Sequence, residues 1–274
     1  MESDPPEPQA RPLTFLVAAF WTLLVAVLLG VMVATILAAR PGTFVDVVTF
    51  ATCKLLAYSV VLFVILRVHE PESSIRHVLA LRRPPAALVF LGALVGCGLS
   101  PTSMWLDAIF AKRFPSSPAD LEVYERIFDA PTPGKKLALV LALVLVMPIC
   151  DELFFRGALF TPLKRGRKAE SVVLATAVYD TLLLGSNARE IASILVAALA
   201  VSWLRAVSGS VFPSIAARVT FFGVQVVPIV LAREPQATGT VALAGAALAA
   251  LSLAGVAAVG KRSTRARDAR VADG

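Results

Sequence analysis

The chain alternates long apolar runs with short polar connections, and that alternation predicts helices that cross a membrane. Residues 13–39 are 27 consecutive uncharged positions, more than the roughly 20 needed to span a hydrocarbon core. The run is longer than a signal-peptide core of about 7–15 residues and follows an acidic flank, so it is expected to be a retained first span. Further spans are expected at about 44–66, 86–110, 137–160, 171–184, 191–207, 211–232 and 237–260. The predicted fold class is all-α, a polytopic membrane helix bundle of about eight transmembrane helices. Residues 1–12, polar and Pro-rich, are expected to be a disordered tail. Residues 13–260 are the bundle and 261–274 a basic tail. Within the mixed stretch 111–136, residues 119–129 place Leu121, Tyr124 and Phe128 on one face, as in a short interfacial amphipathic helix. The last run is rich in Ala, Gly and Leu, which permits close helix packing.

Composition agrees with this. The 274 residues are 57% apolar and 16% charged, against about 25% charged in a soluble domain. The net charge of +7 is therefore read through topology rather than nucleic-acid binding, which is not expected. With eight spans, 15 Lys and Arg fall on the side carrying both termini and eight on the other, so the positive-inside rule places both termini in the cytoplasm. Usage rich in Ala, Val and Arg suggests a bacterial inner (plasma) membrane. The basic turn 164–168 and the basic tail are expected to touch membrane lipids. Cys53, Cys97 and Cys150 lie in apolar segments without C-x-x-C spacing, and are expected to be small core residues rather than disulfide or metal partners. His69 and His77, the two histidines, fall in a polar connection and are expected to be solvated. No metal or other cofactor is expected.

Charges inside the spans are few. Asp46 and Lys54 stand eight residues apart on one helical face, turned toward the interior; Asp107 and Asp180 lie in later spans. Intramembrane charges are costly, which makes each a functional-site hypothesis. A small-solute transporter is one reading of these four, and structural pairing is another. The densest cluster is Met147-Pro-Ile-Cys-Asp-Glu-Leu-Phe-Phe-Arg-Gly157. On a helix Glu152 and Arg156 share a face, with Asp151 about 100° away. The same cluster would also serve as a simple boundary of the span.

Asp151-Glu-Leu-Phe-Phe-Arg-Gly157 resembles the E-E-x-x-x-R motif of the CAAX prenyl protease and bacteriocin-processing (CPBP, or Abi) intramembrane proteases. Leu81-Arg-Arg-Pro84, leading into the third span, and Ser208-Gly-Ser-Val-Phe-Pro213 are similar to that family too. The resemblance covers roughly residues 80–232. It implies an intramembrane endopeptidase in which a motif glutamate and a histidine of the next span activate water. A later histidine and an asparagine would then stabilise the oxyanion. A metal has been argued both ways for the family.

The chain departs from that pattern. Asp151 replaces the first glutamate, while Glu152 and Arg156 are kept. The second-motif histidine falls on Leu183 or Leu184, the final histidine on Arg218, and the asparagine on Phe221 or Phe222. A buried guanidinium must find carboxylates, so Asp151, Glu152 and Asp180 are expected to surround Arg156 and Arg218 as an embedded ion-pair network. Two functions follow. One is a pseudoprotease that binds or scaffolds a membrane-anchored protein or peptide. The other is a working endopeptidase with Asp151 or Glu152 as base and Arg218 as electrophile. The candidate site is Asp151, Glu152, Arg156, Asp180 and Arg218.

Overall fold

A computed structural model describes residues 13–185, 187–233 and 237–272, of which 261–272 by backbone alone. The tail expected over residues 1–12 lies outside the described residues. Among these the regular structure is helical, without strands: α1 (Phe15–Ala39), α2 (Val47–His69), α3 (Ile75–Val78), α4 (Ala86–Ala111) and α5 (Pro118–Phe128), then α6 (Pro133–Leu163), α7 (Ala169–Leu184), α8 (Ile191–Ser208), α9 (Phe212–Val230) and α10 (Gly239–Ala272). The fold is thus the expected polytopic helical bundle.

One of the eight expected spans is short. Among the described residues, seven helices are long and apolar enough to cross a membrane: α1, α2, α4, α6, α8, α9 and the Gly239–Gly260 part of α10. The fifth expected span is α7, with only 16 residues. At 1.5 Å per residue that is about 24 Å, short of a hydrocarbon core of about 30 Å. Even so, α7 joins opposite ends of the bundle. Just before it, Arg167 donates to the Leu13 carbonyl at 2.8 Å; just after it, Arg189 bonds Ser116, beyond the end of α4. The basic tail is helical backbone through Ala272.

Polar residues fix where helices begin. Thr14 caps α1, Thr132 caps α6, and Ser117 with Asp120 forms a reciprocal capping box on α5. Asp46, expected to face inward, is instead an exposed cap: its carboxylate accepts from the Val48 and Thr49 amides at 2.9 and 3.0 Å. The Thr49 hydroxyl, donating at 2.6 Å, is the main reason the Asp46 carboxyl titrates below its usual range.

Small residues decide how the spans pack. Gly92 and Gly96 of α4 lie so close to the Pro213 and Ala217 carbonyls of α9 that a Cβ would overlap them, and Gly98 lies as close to Gly245 of α10. Hydrogen bonds cross the same seams: Thr220 donates to the Ala93 carbonyl at 2.8 Å and Thr102 to the Ala242 carbonyl at 3.0 Å. In lipid, where burial of apolar area gives little drive, such close contact is what joins helices.

Of three apolar clusters among the described residues, the two larger ones divide the core. One cluster joins α1, α2, α6 and α7 through residues such as Trp21, Tyr58, Phe154 and Val172. The other joins α4, α8, α9 and α10 through Val95, Leu204, Phe221 and Val256. The charged residues collect on the seam between these halves. By contrast α5 buries none of its residues; Tyr124 and Phe128 stack on its one apolar face with centroids 4.7 Å apart.

Candidate functional site

Helix α6 has two π-helical segments, Leu141–Val146 and Leu153–Leu159, on either side of Met147–Glu152; the motif begins in the turn between them and runs into the second, which holds Arg156 and Gly157. Such wide turns are rare and cluster at functional sites. Here the two segments flank the turn that delivers Asp151 and Glu152 to different partners. Gly157 closes the motif beneath Leu79, whose Cδ2 would stand 2.9 Å from any added Cβ. Leu79 is placed there by a left-handed turn at Ala80, with φ of 51°, whose carbonyl accepts from the Val211 amide at 3.2 Å.

Four of the five expected site residues meet in one fully buried cluster. Arg218 donates from Nε to Glu152 Oε1 at 3.0 Å and from Nη2 to Asp180 Oδ2. Arg156 Nη1 lies 3.3 Å from Glu152 Oε1 and bonds Asp180 Oδ2. Two carboxylates thus balance two guanidinium groups, all at most 2% exposed. Arg156 Nη2 also donates to the Ala198 carbonyl at 2.8 Å and to Ser202 Oγ at 3.0 Å, tying α8 into the cluster. Glu152 Oε2 and Asp180 Oδ1 have no hydrogen-bond partner among the described residues.

Asp151 is the exception and a correction. It does not join the arginines: Lys54 Nζ lies 2.8 Å from Asp151 Oδ1 and donates to Oδ2 at the same distance, with both side chains at most 4% exposed. Lys54 also stands 5.2 Å from the Tyr58 ring centroid. The sequence marks Lys54 as an intramembrane charge but contains nothing to link it with a residue 97 positions away. A further correction concerns His69, read as solvated. His69 is 6% exposed and its Nε2 accepts from Trp21 Nε1 at 3.1 Å. Arg205 is buried in the last turn of α8, where it donates from Nε to the Arg156 carbonyl at 2.9 Å and from Nη2 to Thr161 Oγ1 at 3.1 Å. His77 is exposed, with Nδ1 3.0 Å from Arg82 Nη2.

A cavity of about 460 Å³ opens beside the cluster. Its floor is Lys54, Asp151 and Arg218, and its opposite rim carries Asp107, Arg189 and Glu190, with Tyr124 and Phe128 of α5 across it. Burial raises the Tyr124 phenol above its ordinary range. Asp107 accepts from Ser193 Oγ at 2.6 Å. Leu184, Arg218, Phe221 and Phe222 all line this space. These are the positions where the family pattern leads one to look for histidines and asparagine, and Leu184 rather than Leu183 is the one that faces the cavity; Leu183 packs into the first core cluster.

Three of the four charges behind the transporter reading are engaged by neighbours in the structure. Asp46 is a helix cap, Asp180 is held between two arginines, and Lys54 is held by Asp151. Among the described residues no group of three or more His, Cys, Asp or Glu is placed to hold a metal ion. The cysteines are free, Cys53 and Cys150 buried and Cys97 half-buried.

Residues 133–224 match the family model described as "Rce1-like: Type II CAAX prenyl endopeptidase Rce1-like". That stretch runs from the start of α6 to α9 and contains Glu152, Arg156, Asp180 and Arg218. No curated protein and no solved structure matches the chain.

Proposed function

We propose that this chain, which belongs through residues 133–224 to the CAAX prenyl protease (CPBP) family, binds a membrane-anchored peptide or protein without cleaving it. The observation that carries the reading is the state of Glu152. Its Oε1 is shared between Arg156 and Arg218, and the residue is fully buried. A general base must reach its water and must gain and lose a proton near neutral pH. Glu152 lies behind the two arginines and is not among the residues that line the cavity, and an arginine cannot shuttle protons. What remains of the site is a walled cavity with fixed charges at its floor, suited to holding a polar chain end beneath an apolar segment.

A second reading rests on a different observation. Asp151, Lys54 and Arg218 line the cavity itself, so a bound peptide would meet a carboxylate and two cations that can stabilise an oxyanion. In this reading Asp151 is the base of a working endopeptidase.

One experiment separates them. The purified protein is offered a membrane-anchored reporter peptide beside an Asp151→Ala/Glu152→Ala variant, with cleavage and binding both read. Binding by the parent without cleavage supports the first reading. Cleavage by the parent that the variant lacks overturns it in favour of the second. The same proposal places a multi-pass protein in a bacterial plasma membrane with both termini cytoplasmic, on the excess of Lys and Arg at the end of the bundle that holds the connections 67–85 and 161–170.

A further inference from the structure

On the other side of α6 from the charged cavity, α4, α6 and α9 leave a second space of about 860 Å³. Its walls are Val89 and Phe90 of α4, Leu145 and Ile149 of α6, and Ile215 and Val219 of α9. Phe90 is 64% exposed, so this groove faces the lipid rather than the core. A single charged side chain lines it, Arg83, at the end where α4 and α9 begin. Arg83 is exposed and forms no ion pair among the described residues.

We propose that this groove is a binding site for one anionic phospholipid, its phosphate on Arg83 and the upper part of an acyl chain between Phe90, Ile149 and Ile215. The dimensions fit such an occupant. Along α4 the lining runs from Ala86 to Ala93, and along α9 from Phe212 to Val219. Each stretch rises about 10 Å at 1.5 Å per residue, a third of the roughly 30 Å hydrocarbon depth. Charge complementarity selects the headgroup. Arg83 shares its end of the bundle with Arg76 and Arg82, and neither of those pairs with a carboxylate among the described residues. An arginine at a membrane surface favours anionic lipid, and its planar donors match phosphate oxygens.

The test uses the full-length protein in vesicles of phosphatidylcholine mixed with phosphatidylglycerol, extracted gently and weighed intact with its retained lipid. The expected result is a one-to-one phosphatidylglycerol adduct in preference to phosphatidylcholine. Arg83→Gln is expected to weaken that preference about fivefold, the worth of one cation at a membrane surface. Arg83→Lys should retain most of it. Ala216→Trp, which fills the groove from α9, should abolish the adduct, and Arg83→Gln, at an exposed position, covers the case in which that variant fails to fold. Equal retention of the two lipids, or a preference unchanged by Arg83→Gln, overturns the proposal. So does a phosphatidylglycerol adduct that survives in folded Ala216→Trp, or its displacement by inorganic phosphate, which would mean headgroup binding without the groove.

Discussion

The buried arginines bind the motif carboxylates into an electrostatic lattice, and the lattice makes a quantitative demand. Replacing Arg218 with Met leaves Glu152 and Asp180 facing Arg156 alone, an uncompensated negative charge with almost no exposure. Breaking a buried pair this way costs about 3–5 kcal/mol, so Arg218→Met should sharply lower the thermal stability of the detergent-solubilised protein. Adding Glu152→Gln restores neutrality and should recover at least half the loss. A double variant as unstable as the sum of its singles would show that the four residues are not coupled. Much of this cluster could be anticipated because charges in apolar spans are few and each must be satisfied. The partner of Asp151 could not, since Lys54 is reached only through tertiary packing of α2 on α6. Arg205 is equally hard to anticipate: it stands at the end of a span, and a neighbouring carbonyl and hydroxyl draw it inward. Outside the membrane region, Asp46 gives a pH signature. Its folded pKa is depressed, so its capping contribution is present above the unfolded value of about 3.9 and is lost as pH falls through the folded value. Asp46→Ala should cost about 1 kcal/mol at neutral pH, and the gap in melting temperature from the parent should close on acidification. A gap that persists at acid pH would show that the cap does not depend on the charge.

At the scale of elements, the spans are legible from hydrophobic run length and their starts from cap residues. What one helix does to another is not. Gly30 and Gly96 look alike in sequence, each inside an apolar run. In the structure a Cβ on Gly30 meets nothing within 4 Å, whereas one on Gly96 overlaps the Ala217 carbonyl and Thr220 Oγ1. Gly96→Ala must therefore part α4 from α9 and should destabilise by about 1–3 kcal/mol, the usual cost of overpacking. Gly30→Ala should stabilise by about 0.5–1 kcal/mol through helix propensity alone. Melting curves of the two variants in the same detergent check this, and equal shifts would remove the case for a close α4–α9 seam. The short α7 follows similar logic. Its run length misjudges it as an ordinary span, because connections at both of its ends, through Arg167 and Arg189, hold it in place.

For the molecule as a whole, orientation decides what the cavity can meet. The end that begins α4 and ends α6 carries Arg76, Arg82, Arg83, Lys164, Arg165 and Arg167 in its connections. The cavity opens at the other end, where α5 and residues 189–190 form its rim. If positive charge stays inside, any peptide that reaches Asp151 and Arg218 through this mouth arrives from the non-cytoplasmic face, although α6 carries its motif toward the cytoplasmic half. Single cysteines at two exposed acidic positions test this: Glu72 in the connection after α2, and Glu125 on α5. In intact cells a membrane-impermeant maleimide should label Glu125→Cys and leave Glu72→Cys unmodified until the membrane is opened. Cys53, Cys97 and Cys150 are replaced by Ala so that only the introduced thiol reports. The reverse pattern would turn the bundle over, place the mouth of the cavity in the cytoplasm and move the search for its peptide partner there. Labelling of both positions in intact cells would mean that α4, the one span between them, does not carry the chain across, or that the protein inserts in both orientations.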